Sequence, residues 1–217
     1  MPRQRQVAAW TAHDDAILST LRIVRSLLSG DQSATSDVVA DFPAQIASDE
    51  RLLASGAVDV LAFRASGHGT YLHHGPPLVL GRQPAATAVV AAVTVVGNRA
   101  RRRKAIVDAQ PRWVLDTQGA IWVSTAGFYL RAPSGLYPWS WDAVRAACLV
   151  EPGAVRVDGE GSDSAVSWVL RTEWAELLLL LWTLARHPAH PQLRDGSWLP
   201  SGWRARAEQL GFLDPIG

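Results

Sequence analysis

The stretch GAIWVSTAGFYLRAPSGLYPWSW, residues 119–141, sets Trp122, Phe128, Tyr129, Tyr137, Trp139 and Trp141 around two turn signals. It reads either as a ligand-binding aromatic box or as the inside of a β-sheet. Side chains alternate faces along a strand, so Ala120, Trp122 and Ser124 share one face and Ile121 and Val123 the other. Trp122 therefore need not point where Phe128 does, while Trp139 and Trp141 fall together. Aromatic rings mostly serve burial, and this stretch is expected to be sheet core.

On either side lie more short runs rich in β-branched and aromatic residues: RWVLD, VRAACLV, AVRVDG and AVSWVLR, separated by turn residues. Such spacing predicts a meandering antiparallel sheet. Upstream, AVDVLAFRA, GTYLH and PLVLG are expected as further strands, punctuated by Gly67, Gly69 and the Pro76-Pro77 pair. Downstream the period changes. Thr172 is expected to cap the helix EWAELLLLLWTLARH, with Glu173 and Glu176 in its first turn and Arg186 and His187 in its last, ahead of Pro188. Its leucines run nearly all the way round, so two faces need covering.

A second helix is predicted from Thr11, where Thr11 and Asp14 make a capping box and Gly30 supplies the stop. Ile17, Leu21, Val24 and Leu28 mark its apolar stripe, widened by Leu18 and Leu27. This helix, or a second copy of the chain, could cover the free face of the C-terminal one. Residues 31–50 are acidic and turn-rich and read as a linker, with the main domain beginning near Ile46. WRARAEQLGFL is expected to form a short closing helix.

The chain has 217 residues, 48% hydrophobic, enough for one real core. Its formal charge of +1 provides no global field toward nucleic acid or membrane. Cys148 is the single cysteine, which excludes an internal disulfide and suits a reducing compartment. In VRAACLV it reads as an inert thiol. No apolar stretch long enough for a secretion signal precedes Asp14 and Asp15, so a cytoplasmic protein is expected, with peripheral association at the inner face of the membrane. All but one of the basic residues are arginine, which suggests a GC-rich bacterial gene.

The order of short strands closed by one C-terminal amphipathic helix resembles the bacterial pleckstrin-homology-like (PH-like) and GRAM-like domains. The resemblance is carried by Gly119, Ile121, Val123, Ser124, Thr125, Gly127, Phe128 and Leu130, by the following GLYPWSWDAVRAACLV, and by SDERLLASGAVDVL as an opening strand. The chain also resembles a group of uncharacterised bacterial proteins sharing PRWV, VSTAGFYL, PWSW and ARHPxHPQL. What this implies is an α+β fold: a mainly antiparallel PH-like β-barrel or sandwich with a C-terminal packing helix and an added N-terminal helix. The divisions are 1–47 for the N-terminal helix and linker, 48–188 for the β-domain, and 189–217 for a loop and short helix. An Ala/Val-Arg insertion at 82–110 departs from the family pattern. AFRASGHGTYLH offers only Arg64 where phosphoinositide-binding members carry a basic pair.

That insertion holds the one charge anomaly. Arg82 to Lys104 contains six of the 21 basic residues and no acid, so the remainder has 15 basic residues against 20 acidic. The apolar run ahead of the arginines is shorter than the roughly 20 residues that span a bilayer. Residues 77–97 thus read as an interfacial insertion or a soluble helix. Arg99, Arg101, Arg102, Arg103 and Lys104, with Val95 and Val96 as apolar neighbours, are the candidate contacts for an anionic lipid surface or an acidic protein. Two other readings stand beside this one: a solvated helix end, and a nucleic-acid contact, which lacks interleaved aromatics for base stacking.

Catalytic signals are poor. His73-His74 and His187-x-x-His190 lack the further ligands of a zinc site, and Pro188 and Pro191 spoil a helical ligand face. Ser124, Ser134 and Ser140 sit in no G-x-S-x-G elbow, and His68 has no partner in sequence. The expectation is a non-catalytic binding or scaffolding module without cofactor or metal. The alternatives are a nucleic-acid-binding protein using Arg99 to Lys104 and an enzyme with an unrecognised pocket. A homodimer through the 173–187 helix is compatible with each.

Overall fold

The computed structural model describes residues 9–30, 38–64, 110–161 and 165–213. Two compact units separate, Met1–Leu61 with Leu115–Gly217, and Ala62–Val114. The second contains the ends of two strands, where the rings of Phe63 and Trp113 lie 5.3 Å apart.

Seven strands form one antiparallel sheet curled into a half-barrel. They are β1 (Leu52–Arg64), β2 (Arg112–Ser124), β3 (Gly127–Ala132), β4 (Gly135–Ser140), β5 (Val144–Glu151), β6 (Ala154–Glu160) and β7 (Ala165–Arg171), in the order β4-β3-β2-β1-β7-β6-β5. The runs RWVLD and GAIWVST are one continuous strand, β2. Two-residue turns join β2 to β3, β3 to β4 and β5 to β6, and in the last Gly153 takes φ 75° after Pro152.

Curling follows from connectivity. β4 and β5 lie at opposite edges of the sheet, yet only the 3-10 turn Trp141–Ala143 separates them in sequence. The edges must therefore approach each other. Trp139 on β4 reaches the ring of Trp168 on β7 at 5.0 Å. Gly159 on β6 makes room, since a Cβ there would stand 2.5 Å from the Ala143 carbonyl oxygen and 3.0 Å from the Trp139 ring. Phe128, Trp139 and Trp141 are all buried in this interior. These three aromatics of the opening stretch are sheet core, as alternation allows, whereas Trp122 is only partly buried and Tyr137 is exposed.

Among the described residues there are four α-helices: α1 (Ala12–Ser29), α2 (Ala175–Arg186), the single turn α3 (Pro191–Arg194) and α4 (Trp203–Gln209). In α1 both halves of the Thr11–Asp14 box form, and Gly30 ends the helix at φ 70°. α2 begins later than its sequence suggests. Thr172 shapes a turn, its hydroxyl accepting from the Trp174 amide, and Trp174 stands at the N-cap. Residues 175–183 are all buried. One side of α2 packs on β5, β6 and the 3-10 turn, the other on α1, so the surface that called for covering is covered within one chain. The Trp182 indole fixes the helix by donating to the Val144 carbonyl at 3.0 Å.

Both sheet edges are blunted. Pro138 sits on β4, and the Gln192 side chain bonds both the amide and the carbonyl of Leu149 on β5, at 2.9 and 3.0 Å.

Candidate binding surface

The expected contacts Arg99, Arg101, Arg102, Arg103, Lys104, Val95 and Val96 lie outside the described residues, as do residues 77–97, His68, His73 and His74. Among the described candidates, Ser124 is fully buried. Its hydroxyl bonds Glu50 and accepts from the Gly127 amide at 3.0 Å, holding the β2–β3 turn. Ser140 accepts from the Ala143 amide and caps the 3-10 turn. Cys148 is half-buried, and burial raises its thiol pKa, away from a nucleophile.

Residues 38–50, which read as a linker, pack on the outer face of the sheet. Phe42 meets Trp122 edge-on at 5.1 Å and Tyr129 at 4.8 Å. The Tyr129 hydroxyl donates to Glu50 Oε2 at 2.6 Å and accepts from the amides of Gln45 and Ile46. Between the rings stands a cation of the chain itself. The Arg131 guanidinium lies 5.2 Å from the Trp122 ring and 5.6 Å from the Phe42 ring, and it pairs with Asp41. The aromatic box of the outer face is filled by this internal arginine.

Glu176 is fully buried in the first turn of α2. Its Oε2 lies 2.9 Å from His13 Nε2 on α1, and its Oε1 accepts from the Gly153 amide at 3.0 Å. The hydrogen bond to Glu176 raises the His13 pKa against the opposing effect of burial, with Asp14 and Glu173 adding to the rise. Asp14 is also buried. Burial pushes its pKa up, but the Thr11 hydroxyl and amide and the Arg206 guanidinium bring it below the usual carboxylate range. The two acids tie α1 to the sheet, to α2 and to α4. Neither reads as functional in sequence, where both look like helix-dipole partners.

His187 and His190 do come together, ring centroids 5.7 Å apart, beside Trp182. They line a shallow cleft with Arg145, Arg186 and Asp142. Burial, and then His187, lowers the His190 pKa. No group of three or more His, Cys, Asp or Glu among the described residues is placed to hold a metal ion. A separate cavity of about 370 Å³ opens on the sheet, with Val58, Val60, Leu130 and Trp168 among its lining and Ser134 and Tyr137 beside them.

The charged surface is uneven. Arg131, Arg145, Arg156, Arg171, Arg186 and Arg206 each pair with a carboxylate. Arg22, Arg25 and Arg204 have no ion pair among the described residues, and all three line one groove between α1 and α4. No family model matches the chain, and no curated protein matches it significantly.

Proposed function

We propose that the chain is a non-catalytic binding module built on a PH-like β-scaffold and that its partner is anionic. The carrying observation is how its buried acids are used. Asp14 and Glu176 are each bonded to groups of neighbouring elements, where they hold the fold together rather than face a substrate. Strand order followed by a C-terminal packing helix supports the PH-like reading of the scaffold.

The excess positive charge of Arg99, Arg101, Arg102, Arg103 and Lys104, beside Val95 and Val96, supplies the contact. Near an anionic leaflet each such residue contributes about 1 kcal/mol, enough for reversible association when joined to apolar burial. No helix among the described residues is long and apolar enough to cross a membrane, and the proposed association is peripheral. Co-sedimentation with neutral and with anionic vesicles tests the proposal. Pelleting with anionic vesicles alone, lost at high salt, is expected. Equal pelleting with both, or none in any buffer, would contradict it.

A further inference from the structure

We propose that the groove between α1 and α4 docks an acidic amphipathic helix of a partner protein. The inference rests on the reading of the chain as a binding module but uses a surface separate from residues 99–104. Leu18, Leu21 and Phe212 give the groove its apolar part, Arg22 and Arg25 stand on α1, and Arg204 stands on α4. Its volume is about 480 Å³. Leu28 continues the apolar lane along the Leu21–Arg25 face of α1, and it is 70% exposed although it belongs to the helix's apolar stripe.

Charge complementarity names the occupant. Three arginines without an ion pair among the described residues border this groove, against the one acid Glu208. Basic side chains on both flanking helices fit a helix whose apolar stripe has carboxylates on either side. A flat lipid surface would not enter a recess between two helices. From Leu18 to Arg25 the α1 wall of the groove runs about 10 Å, which matches roughly two turns of a docked helix.

Two fluorescent synthetic peptides with one leucine stripe at i, i+3, i+4 and i+7, flanked by glutamates in one and lysines in the other, test this by anisotropy. The protein used is the full chain with Arg99, Arg101, Arg102, Arg103 and Lys104 changed to Gln, so that residues 99–104 cannot account for binding. The glutamate peptide is expected to bind and the lysine peptide not. Adding Arg22→Gln, Arg25→Gln and Arg204→Gln should weaken the glutamate peptide by about tenfold with an unchanged melting temperature. No binding of the glutamate peptide, equal binding of both peptides, or an affinity indifferent to the three arginines would overturn the proposal. So would loss of anionic-vesicle binding, in place of peptide binding, when the three changes are made in the otherwise unaltered chain. Failure here leaves vesicle binding through residues 99–104 standing, and failure there leaves this groove standing.

Discussion

Glu176 joins three elements with two oxygens, through His13 on α1 and the Gly153 amide in the β5–β6 turn. Removing a buried charge's partner, or the charge itself, leaves its neighbours desolvated and unpaired, so Glu176→Ala should cost about 3 kcal/mol in urea unfolding. The His13 pKa is raised in the fold, so its contribution is full below the unfolded value of 6.5 and is lost as pH rises through the raised value. The urea midpoint should fall across that window in the native chain and vary less in His13→Gln; identical pH dependence in the two would refute the assignment. Ser124→Ala should cost about 1–2 kcal/mol, because the Gly127 amide and Glu50 lose their partner. The Thr11–Asp14 cap was legible from sequence because both partners lie within one turn. The Glu176–His13 and Ser124–Glu50 pairs were not, since their partners are 163 and 74 residues apart and only the fold brings them together.

At the level of elements, close approach fixes where strands can cross. A Cβ on Gly127 would stand 1.9 Å from the Trp139 carbonyl oxygen, so Gly127→Ala should part β3 from β4 and lower stability by at least about 2 kcal/mol, measurable in the thermal midpoint. Thr11→Ala should cost about 1 kcal/mol through the lost cap of α1. The strands from residue 112 onward, apart from the joining of RWVLD and GAIWVST into β2, and the three longer of the described helices could be read from period and turn residues. Two features escaped that reading. Residues 38–50 look like a linker because they are acidic and turn-rich, but Phe42 and Asp41 have cross-chain partners in Trp122 and Arg131 that no local pattern announces. The stripe of α1 is skewed too: Ile17 and Ile23 are buried while Leu28, at the C-terminal end of the expected stripe, is exposed.

For the whole molecule, an α+β half-barrel with packing helices follows from the meander and the change of period, whereas its curl follows from a connectivity that periodicity does not encode. The aromatic question is settled by two faces of one sheet: Phe128, Trp139 and Trp141 fill the interior, and Trp122 with Phe42 encloses Arg131 outside. The proposed binding role with an anionic partner rests on buried acids that are bonded within the fold and on the basic run from Arg99 to Lys104 in the sequence. That role is tested most directly by equilibrium binding to anionic vesicles at low salt, comparing the native chain with a variant carrying Gln at Arg99, Arg101, Arg102, Arg103 and Lys104. The variant should lose binding and keep its melting temperature. Undiminished binding by a folded variant would contradict the account.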